Sequence, residues 1–298
     1  MNPVERVYVD IEPHALTSCF DREPFGFTHN LSSLDVFRFS NLQHLTSLYT
    51  DRDYFVASAA PAEGTEFYAV THRVCRPDEA MDRLGSGNQQ ILLKHPERYD
   101  RRFRDLLGTL FADIARRRGG LSGKLVRLDS SLLISSSATI TPFHYDPAIS
   151  FFFQIAGEKD YHIYSPAVLS EPELEAFYGA GITTIAQVPL AGRDPALEHV
   201  FRLGPGKGMH QPRNAPHWVQ THDSIAVSYV VSFETDVTRA LAHTRAFNHY
   251  ARAAGVVPGP VGCDRGADTL KADVMRAALP VRRSVESTLR RVAQRLRR

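Results

Sequence analysis

The feature that most constrains the fold is a succession of short strand-like segments in the second half of the chain. These segments are rich in β-branched and aromatic residues, and Gly, Pro, Asn and Asp stand between them. Many short strands separated by turn residues are typical of a β-sandwich or barrel of the jelly-roll kind. A helix-like segment and a loop interrupt the pattern between residues 170 and 200. The predicted strands cover residues 125–134, 139–145, 150–155, 160–164, 207–211, 217–220 and 225–233.

The regions on either side of these strands have a different character. Before them, a strand-like run at 90–94 leads into a long helical segment that ends at Gly119-Gly120. After residue 235 the pattern becomes helical again, and no repeat or linker divides the chain. We therefore predict three regions in a mainly β chain with helices at both ends. They are an N-terminal α/β flanking region (1–124), a jelly-roll core (125–240) and a C-terminal helical region with a basic tail (241–298).

Composition and terminal sequence exclude several classes of protein. The chain has 298 residues, of which 43% are hydrophobic and 23% charged. No run approaches the roughly 18 consecutive apolar residues of a membrane span, and charges near the N-terminus replace the apolar part of a signal peptide. Cys19, Cys75 and Cys263 have no paired spacing, which argues against a disulfide framework and a Cys-based zinc site. We expect a cytoplasmic protein without a membrane span.

The C-terminal tail is strongly basic. Residues 281–298 contain seven Arg and one Glu, and their apolar residues recur at three- and four-residue steps as in an amphipathic helix. Such a helix could bind nucleic acid or an anionic membrane, or it could pack its apolar stripe on the body of the protein or on a second subunit. The packing interpretation is favoured, because no aromatic interleaving and no DNA-binding motif accompany the charges. A nucleic-acid partner is therefore not expected.

One short motif on a predicted strand carries metal-binding chemistry. In His144-Tyr145-Asp146 the first and third side chains lie on the same face of a strand, so an imidazole and a carboxylate can point together into a barrel. With a distant second His they would form the two-His-one-carboxylate triad that holds Fe(II) and leaves positions open. A similar triplet, His95-Pro96-Glu97, stands at a helix start, where positions i and i+2 do not share a face.

The flanking sequence distinguishes the two triplets. Residues 141–166 read TPFHYDPAISFFFQIAGEKDYHIYSP, and residues 203–219 read LGPGKGMHQPRNAPHWV. These segments resemble the JmjC/cupin-like Fe(II), 2-oxoglutarate-dependent oxygenases. The resemblance is strongest to the branch with the asparaginyl hydroxylase that inhibits hypoxia-inducible factor and to bacterial cupin-like relatives. It covers roughly residues 24–275 and implies a double-stranded β-helix, that is, a cupin-like jelly-roll core.

The resemblance also assigns the site residues. It implies that His144, Asp146 and His217 bind Fe(II), and that Lys159 and Thr141 bind the distal carboxylate of the cosubstrate 2-oxoglutarate. A cation on a flexible stem and a hydroxyl are suited to hold a carboxylate.

Two positions depart from the pattern. Ser150 and Ser232 stand where some relatives have Asn near the cosubstrate. Because Ser can still donate a hydrogen bond, we expect altered cosubstrate packing at these two residues rather than its loss.

The function implied is an Fe(II)/2-oxoglutarate-dependent oxygenase (hydroxylase) that consumes O2 and releases succinate and CO2. Its substrate, a protein or peptide side chain or a small molecule, is left open, and the resemblance implies a homodimer formed through C-terminal helices. Two alternatives remain: a non-enzymatic cupin-like regulator that binds a metal or ligand, and a cupin enzyme that does not use 2-oxoglutarate. An enzyme of the second kind would not need the 2-oxoglutarate-binding role that the resemblance implies for Lys159.

Three further aromatic features can be interpreted from the pattern alone. His210 could line the substrate pocket or be a hydrogen-bonded strand residue, and both interpretations stay open. For Trp218, core packing beside the metal is favoured over substrate stacking. The run Phe151-Phe152-Phe153 is expected to fill the core on both faces of a buried strand.

Overall fold

The computed structural model describes residues 6–50, 53–57, 74–86, 89–180, 186–187 and 192–278. They form two compact units. The first contains described residues of 1–121, 125–168 and 185–233, and the second those of 122–124, 169–184 and 234–298. The basic tail, 281–298, lies outside the described residues, so its amphipathic helix stays a prediction, as does the three-region division of the chain.

The described strands include all those that were predicted, at or close to their predicted positions. They are β1 (Val9–Asp10), β2 (Phe25–His29), β3 (Tyr54–Ala57), β4 (Gln90–Lys94), β5 (Leu125–Ser135), β6 (Ile140–Tyr145), β7 (Ile149–Ala156), β8 (Lys159–Tyr164), β9 (Ala186–Gln187), β10 (Glu198–Leu203), β11 (Lys207–Gln211), β12 (His217–Thr221) and β13 (Ala226–Thr235).

Helices precede, interrupt and follow the strands of the core along the chain. They are α1 (Phe39–Ser47), α2 (Pro77–Asp82), α3 (Pro96–Tyr99), α4 (Arg101–Arg117), α5 (Glu171–Gly179), α6 (Asp236–Ala253) and α7 (residues 265–278). None of the described helices is long and apolar enough to cross a bilayer.

The strands form two antiparallel sheets. The larger has the order β1-β2-β11-β7-β13-β5-β4-β3, and the smaller has the order β10-β8-β12-β6-β9. From β5 to β8 the chain alternates between the larger and the smaller sheet, and it does so again from β10 to β13. This winding is the double-stranded β-helix, so the predicted jelly-roll fold with accompanying helices is confirmed.

Strand β7 shows how the larger sheet separates two cores. Phe151 and Phe153 belong to the large hydrophobic cluster that also contains buried residues of α4, whereas Phe152 belongs to a second cluster. The second cluster joins the two sheets, because it also contains Tyr161 and Ile163 of β8. The prediction that the three Phe residues fill the core on both faces of β7 is thus confirmed. The face of each sheet that lines this second cluster is called the inner face below.

Helix α4 covers the outer face of the larger sheet for reasons visible in its sequence. The Asp100 carboxylate accepts a hydrogen bond from the Arg102 N–H at 2.8 Å and caps the helix. Its apolar stripe, which includes Phe103, Leu110 and Ile114, is buried in the large cluster. The helix is followed by Gly119 and Gly120, both with positive φ. The predicted long helix and its stop are confirmed.

Strand β10 begins at the end of the stretch predicted as helix and loop (170–200) and was not predicted. It pairs with β8 at the edge of the smaller sheet, and most of its side chains are exposed or half-buried. An edge strand of this kind lacks the alternation of apolar and polar residues that marks a strand in sequence.

The second unit is held together by charged pairs between α5 and α6. Arg245 pairs with Glu171 at 2.7 Å, and Arg252 pairs with Glu175 at 2.7 Å. The Tyr250 hydroxyl donates to the Gly179 carbonyl oxygen at 2.5 Å. These contacts hold α5 against α6.

Candidate metal centre

Three predicted ligands meet at one end of the smaller sheet. His144 in β6 lies directly opposite His217 in β12, and their ring centroids are 4.1 Å apart. Asp146 follows the end of β6, two residues beyond His144, so alternation places both side chains on the same side. The candidate ligand atoms of the three residues all lie within 4.8 Å of one another. The fold therefore brings the predicted triad together.

Backbone carbonyls set the orientation of both imidazoles. His144 Nδ1 lies 2.6 Å from the Pro142 oxygen, and His217 Nδ1 lies 2.9 Å from the Ala215 oxygen. Each Nδ1–H donates to its carbonyl, which leaves the Nε2 lone pair available to a metal. Burial lowers the pKa of both histidines, and the neighbouring His144 lowers that of His217 further. Both rings are therefore held neutral, as metal ligation requires.

The Asp146 carboxylate is held by Gln211 of the larger sheet, which in turn is held by Tyr161 of the smaller sheet. Asp146 Oδ2 accepts from Gln211 Nε2 at 3.2 Å, and Gln211 Oε1 accepts from the Tyr161 hydroxyl at 2.6 Å. The Tyr161 ring stacks on His217, with centroids 5.2 Å apart. Burial and the nearby Asp146 raise the pKa of Tyr161 well above its usual value, so its hydroxyl remains a donor.

Gln211 and Tyr161 were not predicted as site residues. Neither stands in a chemical motif by itself. Tyr161 can meet Gln211 only because the two sheets face each other, and Gln211 is positioned by the pairing of β11 with β7. The sequence carries no local signal for contacts of this kind.

The donor set fits a divalent transition metal. Two neutral nitrogens and one carboxylate oxygen are the ligands of the non-haem iron triad. His217 Nε2 and Asp146 Oδ2 are 3.9 Å apart, less than twice a metal–ligand bond of about 2.1 Å. Three protein ligands leave the remaining coordination positions for other groups. In the described part of the chain, this is the one group of three or more His, Cys, Asp or Glu residues close enough to share an ion.

The other H-x-[DE] triplet has a local structural role. His95 Nδ1 lies 3.2 Å from Glu97 Oε1, and Glu97 Oε2 accepts from the Ser130 hydroxyl at 2.6 Å. His95 has a left-handed backbone at the entry to α3. The interpretation of this triplet as a helix-entry segment agrees with these contacts.

Lys159 lies on the same face as the triad but deeper between the sheets. It pairs with Thr221 of β12, which is four residues, an even number, from His217, so both side chains face inward. Lys159 is 3% exposed, and its Nζ lies 3.5 Å from the Ser135 hydroxyl. No carboxylate among the described residues lies within ion-pair distance of this ammonium group. Burial lowers the pKa of Lys159 to about 7.

Thr141 also faces inward. It lies opposite Val219 of β12, whereas His144 lies opposite His217, so the pairing shifts by one residue between these points. Val219 and His217 are two residues apart on one strand and share a face. Thr141 and His144 therefore share that face too.

Ser150 and Ser232 are neighbours on the inner face of the larger sheet. They lie opposite each other in β7 and β13, and their hydroxyl oxygens are 2.8 Å apart. Ser150 also pairs with Gln211 of β11, the residue that holds Asp146. The two predicted cosubstrate positions thus form one hydrogen-bonded pair beside the triad.

His210 and Trp218 make structural contacts with their neighbours. His210 Nδ1 donates to the Ser150 oxygen at 3.1 Å and Nε2 accepts from the Asp21 N–H at 3.0 Å, so it is a hydrogen-bonded strand residue. Burial lowers its pKa to about 3. Trp218 stacks on His162 with centroids 3.8 Å apart, on the face of β12 opposite to His217. It packs there rather than beside the triad.

Comparison with known proteins supports the fold. No protein-family profile matches the sequence, and no curated protein matches it. The structure is similar to an X-ray structure of E. coli ycfD, with a TM-score of 0.53 and 16% identity. It is also similar to YcfD, a ribosomal oxygenase from Escherichia coli, in complex with cobalt and 2-oxoglutarate (0.53, 17%) and with cobalt and succinic acid (0.52, 16%). Each alignment covers 92% of this chain and 68% of the other. At this identity the comparison shows a shared fold.

Proposed function

We propose that this protein is an Fe(II)/2-oxoglutarate-dependent oxygenase that hydroxylates an organic substrate. The observation that carries the proposal is the convergence of His144, Asp146 and His217 on one point, with both imidazoles in the tautomer that carries its proton on Nδ1. The shared fold adds support, since YcfD has been solved with cobalt together with 2-oxoglutarate or succinic acid.

The three residues of the triad would hold Fe(II). The bound iron, with 2-oxoglutarate and O2, supplies the oxidising chemistry, in which 2-oxoglutarate is converted to succinate and CO2 as the substrate is hydroxylated. The protein contributes two buried, neutral imidazoles and a carboxylate fixed by Gln211. Ligands held in fixed positions favour the productive reaction.

Lys159 and Thr141 would bind the distal carboxylate of 2-oxoglutarate. A buried ammonium group without an acidic partner costs free energy, and an incoming carboxylate would offset that cost. Lys159 lies deeper along the inner face than His217, as expected for the far end of a short diacid whose other end binds the metal. Thr141 shares this face and can donate its hydroxyl proton.

Ser150 and Ser232 would contact the part of 2-oxoglutarate near the metal. Their hydroxyls already hydrogen-bond to each other, so one hydroxyl donates within the pair and the other remains a donor. A Ser pair reaches less far than two Asn side chains, which predicts cosubstrate packing that differs from that of the Asn-containing relatives.

The identity of the substrate remains open between a protein side chain and a small molecule. YcfD is a ribosomal oxygenase, which makes a protein substrate a natural first class to screen. Homodimerisation and a cytoplasmic location stay predictions.

The deciding experiment is an anaerobic titration of purified protein with Fe(II) and 2-oxoglutarate. We expect the weak visible charge-transfer band of a bidentate iron–2-oxoglutarate complex, and we expect it to be absent in His144→Ala. His162→Ala is the matched control, because His162 lies on the outer face of the smaller sheet. Iron binding without a band would favour a metal-binding regulator or an enzyme that does not use 2-oxoglutarate.

A further inference from the structure

A second lysine faces the space between the sheets. On β4, Ile91 and Leu93 are buried in the large hydrophobic cluster on the outer face of the larger sheet. Gln90 and Lys94 therefore face the other way. The Gln90 amide donates to the Ile140 oxygen of β6 at 3.1 Å, which shows that this side of β4 looks toward the smaller sheet. Lys94 therefore has its side chain on the inner face.

Strand register places Lys94 at a different level from Lys159. Ser135 contacts Lys159 and pairs with Gln90, whereas Ser131 pairs with Lys94. Four residues of strand correspond to about 13 Å. The two inward-facing lysines are thus separated along the axis of the jelly roll by about the length of a small substrate.

The level of Lys94 is that of the metal triad. Gln90 contacts Ile140 on β6, and four residues further along β4 and β6 stand Lys94 and His144. Because β6 carries one extra residue in this span, the levels of Lys94 and His144 agree to within about one residue, roughly 3 Å. Packed sheets lie about 10 Å apart. A lysine side chain extends through much of that distance. Burial lowers the pKa of Lys94, and the charges of Asp129 and then Asp146 oppose this shift.

The Lys94 ammonium group lies over an aromatic ring. Its Nζ lies 4.8 Å from the centre of the Phe55 ring, and no carboxylate of the described residues lies within ion-pair distance. The nearby Asp129 pairs with Arg127 at 3.5 Å.

We propose that Lys94 binds a carboxylate of the substrate, so that the enzyme selects acidic substrates. This inference rests on the proposed oxygenase function. A half-buried ammonium group over an aromatic ring, at the level of the triad and with no carboxylate of the described residues within ion-pair distance, is suited to an incoming anion. The cosubstrate does not fulfil this role, because its distal carboxylate is assigned to Lys159 at the deeper level.

The test uses two probes that differ by one charge, N-acetyl-L-glutamate amide and N-acetyl-L-glutamine amide. The protein is loaded with Mn(II), which is paramagnetic, and saturated with 2-oxoglutarate. Relaxation of the acetyl methyl protons in NMR reports how often each probe lies near the metal. We expect the glutamate probe to be relaxed about ten-fold more strongly than the glutamine probe, the effect of one charge-assisted hydrogen bond.

Variants connect this preference to Lys94. Lys94→Met keeps the packing on Phe55 but removes the charge, and the preference should fall below about two-fold. Lys94→Arg should retain the preference, and so should Lys207→Met, which removes an exposed lysine. Equal relaxation of the two probes, relaxation of neither, or a preference that survives Lys94→Met would overturn the proposal.

The same samples separate this inference from the proposed function. Relaxation of the 2-oxoglutarate protons by Mn(II) shows that the metal and cosubstrate are bound. If they are bound and the probes show no charge preference, the role of Lys94 is wrong and the oxygenase proposal stands. If 2-oxoglutarate is not relaxed, the oxygenase proposal itself fails.

Discussion

Thr141 and His144 point to the same side of β6 although they are three residues apart. In a regular strand such residues face opposite sides. Here β12 advances two residues, from His217 to Val219, while β6 advances three, so β6 carries one extra residue between the two pairs. This bulge brings a hydroxyl group into the row of predicted metal and cosubstrate ligands.

The hydroxyl of Thr141 can be tested with an isosteric change. Thr141→Val should raise the dissociation constant of 2-oxoglutarate about ten-fold, because a hydrogen bond to a carboxylate is lost. Fe(II) affinity should not change. The measurement is a 2-oxoglutarate titration of the charge-transfer band, with Thr141→Ser as the control that keeps the hydroxyl. An unchanged constant in Thr141→Val would exclude Thr141 from the cosubstrate site.

Removal of the carboxylate ligand should abolish activity. In Asp146→Ala the triad loses its one anionic ligand, so Fe(II) binding and succinate release should both be lost. The control is Asp160→Ala, because Asp160 faces away from the triad and pairs with His222 at 2.9 Å. Full succinate release by Asp146→Ala would refute the triad.

The binding of 2-oxoglutarate should depend on pH through Lys159. In the free protein the pKa of Lys159 is lowered to about 7, so above pH 7 the group is mostly neutral and must take up a proton to bind a carboxylate. The dissociation constant should stay level below pH 7 and rise toward ten-fold per pH unit above it. Titrations between about pH 6 and 8.5 measure this.

Two variants of Lys159 complete the test. Lys159→Arg keeps its charge throughout this range, so its dissociation constant for 2-oxoglutarate should not change with pH. Lys159→Ala should strongly raise the 2-oxoglutarate requirement while sparing Fe(II) binding. The assignment of Lys159 to the cosubstrate is wrong if 2-oxoglutarate affinity in Lys159→Ala equals that of the wild type.

Gln211 should control metal affinity. Gln211→Leu removes the donor to Asp146 and the acceptor of the Tyr161 hydroxyl, and loss of such an outer contact typically weakens metal binding 10- to 100-fold. Mn(II) binding followed by electron paramagnetic resonance measures the change. Gln220→Leu, at an exposed position of β12, should have no effect. A Gln211→Leu protein with wild-type Mn(II) affinity would show that Asp146 needs no such support.

Two glycines should respond oppositely to the same substitution. A Cβ at Gly208 of β11 would meet the Phe27 ring and, at 2.7 Å, the Phe152 carbonyl oxygen. Gly208→Ala should therefore lower the free energy of unfolding by about 1–3 kcal/mol. Gly108 of α4 is exposed with open space around it, so Gly108→Ala should raise the free energy of unfolding by about 0.5–1 kcal/mol. Urea denaturation of both variants measures the difference.

The sequence by itself determined the elements of the core and its chemistry. Strand β11 has the predicted bounds, and helix α5 lies in the predicted helix-like segment. The alternation of Phe151, Phe152 and Phe153 between two cores follows from the two-residue period of a strand. The H-x-D spacing also fixes that His144 and Asp146 face the same way. Each of these properties depends on residues that are neighbours in the chain, which is why the local pattern predicts them.

The tertiary structure decided which of these residues meet. The extra residue in β6 that turns Thr141 inward, the contact of Gln211 with Asp146, and the level of Lys94 relative to His144 all depend on strand register and on the facing of two sheets. A shift of one residue in register would turn each side chain to the opposite face. Register is set by packing between distant segments, so no local pattern in the sequence could specify these contacts.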